Sequence, residues 1–323
     1  MYKLAIIVLL CVRPLQLATA EVPTASALLE RFAASQEKRR SFRLKYEDQY
    51  HGKSKLSFKG QAEKVLSGGY IGELRSDGRR HYSCEKSWER NRPHMSQSKE
   101  AAKADPRYRS FLWDGTNKYQ YLRSNAGPEW DKLFLMPKGH ADARGDDMIA
   151  PHRSRVLFGF FEDTQAKAPY GYQRIDEQLR QAGSISVQQK MQDVGGSKCY
   201  VISARTKDSR YEIWIDPEHG YNIAKAEIFR GGEGVKFGKP EEISLSTYLK
   251  NVRFEKIDAA WVPMEADCGF HWKLIYESYL KEDHHHKITE LTLAPSHEAL
   301  RSFEPSYIRN GTTTYLIGRK GST

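Results

Sequence analysis

Long apolar runs are scarce in this 323-residue chain. Past the first dozen residues no stretch approaches the roughly 20 apolar residues that a spanning helix needs, so the body of the chain is expected to be soluble. Cysteine is nearly absent as well. Of the 4 cysteines, three lie beyond the leader, Cys84, Cys199 and Cys268, and none forms a C-x-x-C pair, which excludes a thioredoxin-type redox site. Three thiols allow at most one internal disulfide with its pairing open, or three buried thiols filling core space. Catalytic signatures are missing too. No G-x-S-x-G occurs, the glycines of Gly234 to Lys239 lack phosphate-loop spacing, and His297-Glu298 is followed by Arg301 where a zincin would place its second histidine. Asp146 and Asp147 are adjacent, so on a strand they would point to opposite sides. These absences lead to the expectation of a non-enzymatic protein with no cofactor and no metal.

What the chain does have begins with a leader. Lys3 supplies a positive start, Leu4 to Val12 an apolar core, and Ala18-Thr19-Ala20 a small-residue cleavage site, so residues 1–20 read as a signal peptide and Glu21 as the first mature residue. Such a chain is destined for the periplasm or the exterior. Removing Lys3 and Arg13 takes the formal charge from +10 to +8. An excess of this sign solubilises a surface and favours contact with an anionic membrane surface. Export keeps the chain away from nucleic acid.

Period-two alternation dominates the mature chain. In Lys198 to Arg230, Tyr211, Ile213 and Ile215 alternate with Glu212, Trp214 and Asp216, and Pro217 and Gly220 supply a turn before the next strand. Thr24 or Ser26 can cap a helix reaching about Lys38, with Leu28, Leu29 and Phe32 as its apolar stripe. Hairpins are expected at Ser76-Asp77-Gly78 and at Asp114-Gly115-Thr116-Asn117. Residues 125–180 break the rhythm and read as an insertion, within which Val156 to Phe161 is a short buried helix or flap. Gly231 to Pro240 reads as a glycine-rich loop. The pattern predicts one mainly β (α+β) domain over residues 21–318, a curved antiparallel sheet with an N-terminal helix, and a basic tail at 319–323.

Four segments carry a family resemblance. The N-terminal helix, the Trp113-Asp114-Gly115 hairpin, the strand and turn Tyr211-Glu212-Ile213-Trp214-Ile215-Asp216-Pro217-Glu218, and Ala260-Trp261-Val262-Pro263-Met264 together resemble the LolA/LolB-like superfamily of periplasmic lipoprotein carriers. The likeness is clearest over about residues 180–300. It implies an unclosed β-barrel of about eleven strands around a hydrophobic cavity, with a helical lid. It also implies a hydrophobic or acylated ligand, carried without catalysis. Each buried acyl CH₂ would contribute about 0.8 kcal/mol.

Aromatic residues are the candidates for lining such a cavity. Trp113, Tyr119 and Tyr121 fall in one hairpin, and Trp214, Trp261 and Trp272 in three further strands; they either line a ligand site on the concave face or pack as core under the helices. Tyr119 and Tyr121 must share a face. Asp283-His284-His285-His286 is the one metal-like run, and between the strands expected at Trp272 to Leu280 and Lys287 to Ala294 it reads as a solvated turn. The alternative to ligand binding is a structural or interaction protein of the cell envelope whose cavity is filled.

Overall fold

The computed structural model describes residues 22–55, 62–90, 96–137, 154–163, 171–207, 209–231, 244–273 and 278–317. The leader with its cleavage site, the basic tail and the glycine-rich loop after residue 231 lie outside the described residues, as does much of the 125–180 insertion.

The chain opens with α1 (Ala25–Glu37), where Thr24 accepts a hydrogen bond from the Ala27 N–H at 3.2 Å and the stripe Leu28, Leu29 and Phe32 is buried. Three long strands follow, β1 (Phe42–Lys55), β2 (Lys64–Ser76) and β3 (His81–Glu89). A short α2 (Lys99–Ala104) then leads to β4 (Tyr108–Trp113), β5 (Asn117–Arg123) and β6 (Lys132–Pro137). The described part of the insertion holds α3 (Ser154–Leu157), β7 (Phe160–Asp163), β8 (Gly171–Arg174) and α4 (Ile175–Arg180). The meander comprises β9 (Ser184–Val187), β10 (Gln192–Val194), β11 (Ser197–Arg205), β12 (Ser209–Asp216) and β13 (Asn222–Gly231). Three long strands, β14 (Ser244–Ile257), β15 (Ala260–Lys273) and β16 (Tyr279–Leu293), precede the last short one, β17 (Thr313–Leu316).

All but β7 and β8 belong to a single open sheet of 15 strands, in the order β10-β11-β12-β13-β14-β15-β16-β1-β2-β3-β4-β5-β6-β17, with β9 also on β11. Among the described strands every ladder is antiparallel except that of β17 with β6. The expected count of about eleven strands is therefore too low. The extra strands are mostly three- to six-residue pieces such as β9, β10, β17 and β6, too short to display alternation and defined instead by the neighbour they pair with. The central join is the β1–β16 ladder, which runs from Phe42 opposite Leu293 to Lys55 opposite Tyr279 and brings the early and late parts of the chain together.

The two faces differ. On one, α1, α3 and α4 bury a core in which Leu28, Leu29, Phe32, Phe161, Ile175 and Leu179 meet Ile202, Tyr211, Ile213, Ile228, Leu249 and Cys268 of the sheet. At about 1.5–3 kcal/mol for each large apolar side chain removed from water, this is the main stabilising contact between helices and sheet. On the same face toward β1 lies a second core of Leu44, Tyr46, Leu74, Val262, Met264 and Ile288. The opposite face carries a small core around Cys199, Val201, Trp214 and Ala224. There α2 is tied to the sheet by Lys99 on Glu47 at 3.0 Å and by the Lys86 ammonium donating to the Lys103 carbonyl at 2.9 Å.

The run Asp283-His284-His285-His286 is not a turn. It sits in the middle of β16, paired on both sides with β1 and β15, and its alternate residues are buried. Polarity suggested solvent, yet Glu282, His284 and His286 face inward because Asp48 and two tyrosines meet them there.

Candidate functional site

The six aromatic candidates do not share one face. Strand alternation puts Trp272 on the helix-side face, across from Leu245 and Leu280, and Trp113 on the same face across from His81, five strands further along the sheet. Tyr119 and Tyr121 do share a face, but it is the opposite one, as their partners Leu112 and Ser110 show. Tyr121 is fully buried in a tyrosine cluster with Tyr108 and Tyr307, and its hydroxyl donates to the Asp131 carboxylate. Trp214 and Trp261 are also on the opposite face. Trp214 donates its indole N–H to Gln192 at 2.9 Å and lies under the Lys225 ammonium, while Trp261 meets His219 edge-on at 4.7 Å. Four of the six are therefore separated from Trp272 and Trp113 by the thickness of the sheet.

What the helix-side face brings together instead is a buried polar and aromatic cluster at β16, β1, β2 and β3. His284 lies between two carboxylates, with Nδ1 3.0 Å from Asp48 Oδ1 and Nε2 3.1 Å from Glu282 Oε2. A neutral imidazole has one N–H, so both contacts are hydrogen bonds only when the ring is the imidazolium or a carboxyl carries the second proton. Tyr50 leans on the same ring at 5.6 Å and stacks on Tyr70 at 5.7 Å. Phe270 closes the other side at 6.4 Å.

His286 is the neighbour with a different fate. It is 0 % exposed, stacks on Tyr46 at 5.3 Å, and neither ring nitrogen has a hydrogen-bond partner among the described residues. Desolvation pulls its pKa from 6.5 down to about 4, against a weaker upward pull from Asp48. At neutral pH it is an uncharged ring with one donor and one acceptor unused. Beyond it the Tyr46 hydroxyl reaches Glu85 at 3.4 Å, and Glu85 takes the Arg109 guanidinium, which is about half exposed (48 %) and marks where the cluster meets solvent. Burial first, then the Glu85 and Asp48 charges, drive the Tyr46 phenol well above its ordinary value.

Glycines make this packing possible. A Cβ at Gly72 would lie 2.6 Å from the Tyr46 hydroxyl, and one at Gly68 2.6 Å from that of Tyr50. Both rings lie across β2, where a side chain of any size would displace them.

The Asp216-Pro217-Glu218-His219-Gly220 turn is built as a turn should be. Asp216 accepts the N–H groups of Glu218 and His219 at 2.9 and 3.2 Å, and Gly220 has φ +73°. His219 places Nδ1 2.6 Å from Asp216 Oδ2 and 3.5 Å from Ser197 Oγ, so serine and carboxylate compete for one nitrogen instead of flanking the ring as a proton relay requires. The three described cysteines form no disulfide with one another, and burial raises Cys84 to about 11 and Cys199 to about 12, which keeps both as thiols. Among the described residues no group of three His, Cys, Asp or Glu side chains is arranged to hold a metal ion, and no helix is long and apolar enough to cross a membrane.

Asp48, Tyr46, Tyr50, Glu282 and Glu85 escaped the reading of the sequence as site residues. A signal existed: Leu44, Tyr46, Asp48 and Tyr50 continue one period-two series, and Glu282, His284, His286 and Ile288 form another. Two such series in register, each with acids among aromatic or apolar neighbours, point to a buried polar face.

No family model matches the chain, and no curated protein does. Among solved structures, PNGF-II in its C2 crystal form aligns with 85% of this chain and 31% of its own, at 9% identity and a TM-score of 0.22. The chain thus spans about a third of that protein's length. MucB, crystallised with MucA(peri), aligns with 84% of this chain and 99% of its own, at 9% identity and a TM-score of 0.20. An N-terminal dehydratase from the difficidin assembly line aligns at 9% identity and a TM-score of 0.14.

Proposed function

We propose that this protein is an exported, LolA/LolB-like carrier that binds an amphiphilic ligand on the helix-side, concave face of its open sheet, without catalysis. One observation carries the reading: His286 is wholly buried with both nitrogens unused among the described residues, beside Tyr46 and the Asp48–His284–Glu282 chain. A buried polar group without a partner costs about 1–3 kcal/mol, a cost that a ligand hydroxyl or amide would remove. The apolar core of Leu44, Leu74, Val262, Met264 and Ile288 lies alongside and suits an acyl chain. Binding is favoured over acid–base chemistry because both nitrogens of His284 already face carboxylates, leaving none to activate a nucleophile such as Cys268 across the strand. The formal charge of +8 that remains when Lys3 and Arg13 of the leader are removed from the chain's +10 supports delivery to or from an anionic membrane surface.

The Trp214, Trp261, Tyr119 and Tyr121 side chains have no part in this site; Trp272 borders it. A second reading, an envelope interaction protein with a filled interior, is favoured by the aliphatic packing of α1, α3 and α4 on β11 to β15. Titration of a fluorescent fatty-acid analogue separates the two. Saturable binding that weakens about tenfold in Tyr46→Leu supports the carrier, and an unbound probe with a folded protein rules it out.

A further inference from the structure

Among the described residues, Arg39 is a cation without a counter-ion. It follows α1, is 4 % exposed, and has a single side-chain bond there, from Nη2 to Asn222 Oδ1 at 2.6 Å. Its Nε and Nη1 atoms are buried with no described partner. The nearest acid in sequence, Glu37, lies 3.7 Å from both Arg40 and Arg174 instead. The Arg39 guanidinium sits over the Phe158 ring at 5.6 Å, and Phe158 stacks on Phe42 at 5.8 Å. Phe42 starts the series Phe42, Leu44, Tyr46 that runs along the helix-side face to His286. At about 3.3 Å per residue that stretch of β1 spans roughly 13 Å.

We infer that Arg39 is the anion-binding end of the ligand site and takes a carboxylate, the head group of a fatty-acid-like amphiphile whose chain lies along Phe42, Leu44 and Tyr46. The inference rests on the carrier reading and adds the head-group class to it. Burying an uncompensated charge is costly, and desolvation lowers the Arg39 pKa to about 9, which still leaves it cationic at pH 7. One positive charge in apolar surroundings is matched by a monoanion. A phosphate monoester or inorganic phosphate would bring a second negative charge with nothing described nearby to meet it. Asn222 is itself fixed, since its amide donates to the carbonyls of His219 and Trp261 at 2.7 and 3.1 Å, so the acceptor that orients Arg39 does not swing away. The DPEHG turn therefore acquires a task at one remove, as the support of the residue that aims the guanidinium.

The test compares laurate, dodecanol and inorganic phosphate by calorimetry on the full mature chain and on two variants. Arg39→Met removes the charge at similar length. Ser35→Asp places a carboxylate beside Asn222, whose Oδ1 is 3.4 Å from the Ser35 hydroxyl, and so provides the guanidinium with an internal anion even if Arg39→Met fails to fold. The wild type is expected to bind laurate at least tenfold more tightly than dodecanol, with that preference lost in both variants. Equal binding of laurate and dodecanol by the wild type overturns the inference and leaves the carrier reading standing. Binding of neither overturns both. Phosphate binding in place of laurate overturns the carboxylate assignment alone, and a preference for laurate that survives in Ser35→Asp overturns the role of Arg39.

Discussion

Asp48 and His284 are 236 residues apart in the chain and meet at 3.0 Å, wholly inside the sheet, at the ladder that joins its N-terminal and C-terminal parts. The contact is both a clamp on the fold and the floor of the proposed site. Removing one member of a buried hydrogen-bonded pair leaves the other unsatisfied, which commonly costs about 1–3 kcal/mol. Asp48→Ala is expected to lose that much in urea unfolding at pH 7. A loss below about 1 kcal/mol would mean that Glu282 alone satisfies His284.

His286 gives a pH dependence with a definite sign. Its folded pKa, about 4, lies below the ordinary 6.5, so between those values the unfolded chain takes up a proton that the folded protein refuses. Stability is fully present above pH 6.5 and falls as the pH drops toward 4, by on the order of 3 kcal/mol. His286→Phe keeps the stack on Tyr46 and removes the titrating group. The difference between the unfolding free energies measured in urea at pH 7.5 and pH 4.5 should shrink by about that amount in the variant relative to the wild type. An unchanged pH difference would place His286 in contact with water or a partner.

The far end of the sheet is held by another buried carboxylate. Asp131 accepts Arg309 Nε and Nη2 at 2.8 and 2.6 Å and also the Tyr121 hydroxyl, and these donors outweigh burial to hold it at about 2. Asp131→Asn is expected to cost about 2 kcal/mol and to free the segment that carries Tyr307 and β17. Limited trypsin digestion should then cut faster after Arg301 and Arg309. Because the folded pKa lies below 3.8, the clamp survives until the pH falls through about 2; its loss near pH 5 would contradict the pairing.

The fold was more legible than the site, for a physical reason. The α1 cap at Thr24, the Asp77-Gly78 and Asp114-Gly115 turns and the Tyr211 to Asp216 strand are local features, written in residues that touch their near neighbours. Alternation also places Tyr119 and Tyr121 together. It does not say which face of the sheet the helices will cover, and so four of six aromatic candidates fall on the face away from them. The His284 cluster depends on β1 pairing with β16, a contact between distant segments that no local pattern encodes. Arg39 is more hidden still: an arginine after a helix reads as a solvated C-terminal charge, and only the packing of Phe158 and Asn222 around it reveals otherwise.

Native mass spectrometry of the protein purified from its source cells, before and after organic extraction, tests the carrier reading most directly. A ligand-bearing concave face predicts a mass increment that extraction removes, an amphiphile with a carboxylate in the extract, and a reduced increment in Arg39→Met and Tyr46→Leu. Recovery of the bare polypeptide mass alone, with the fold intact, would contradict it.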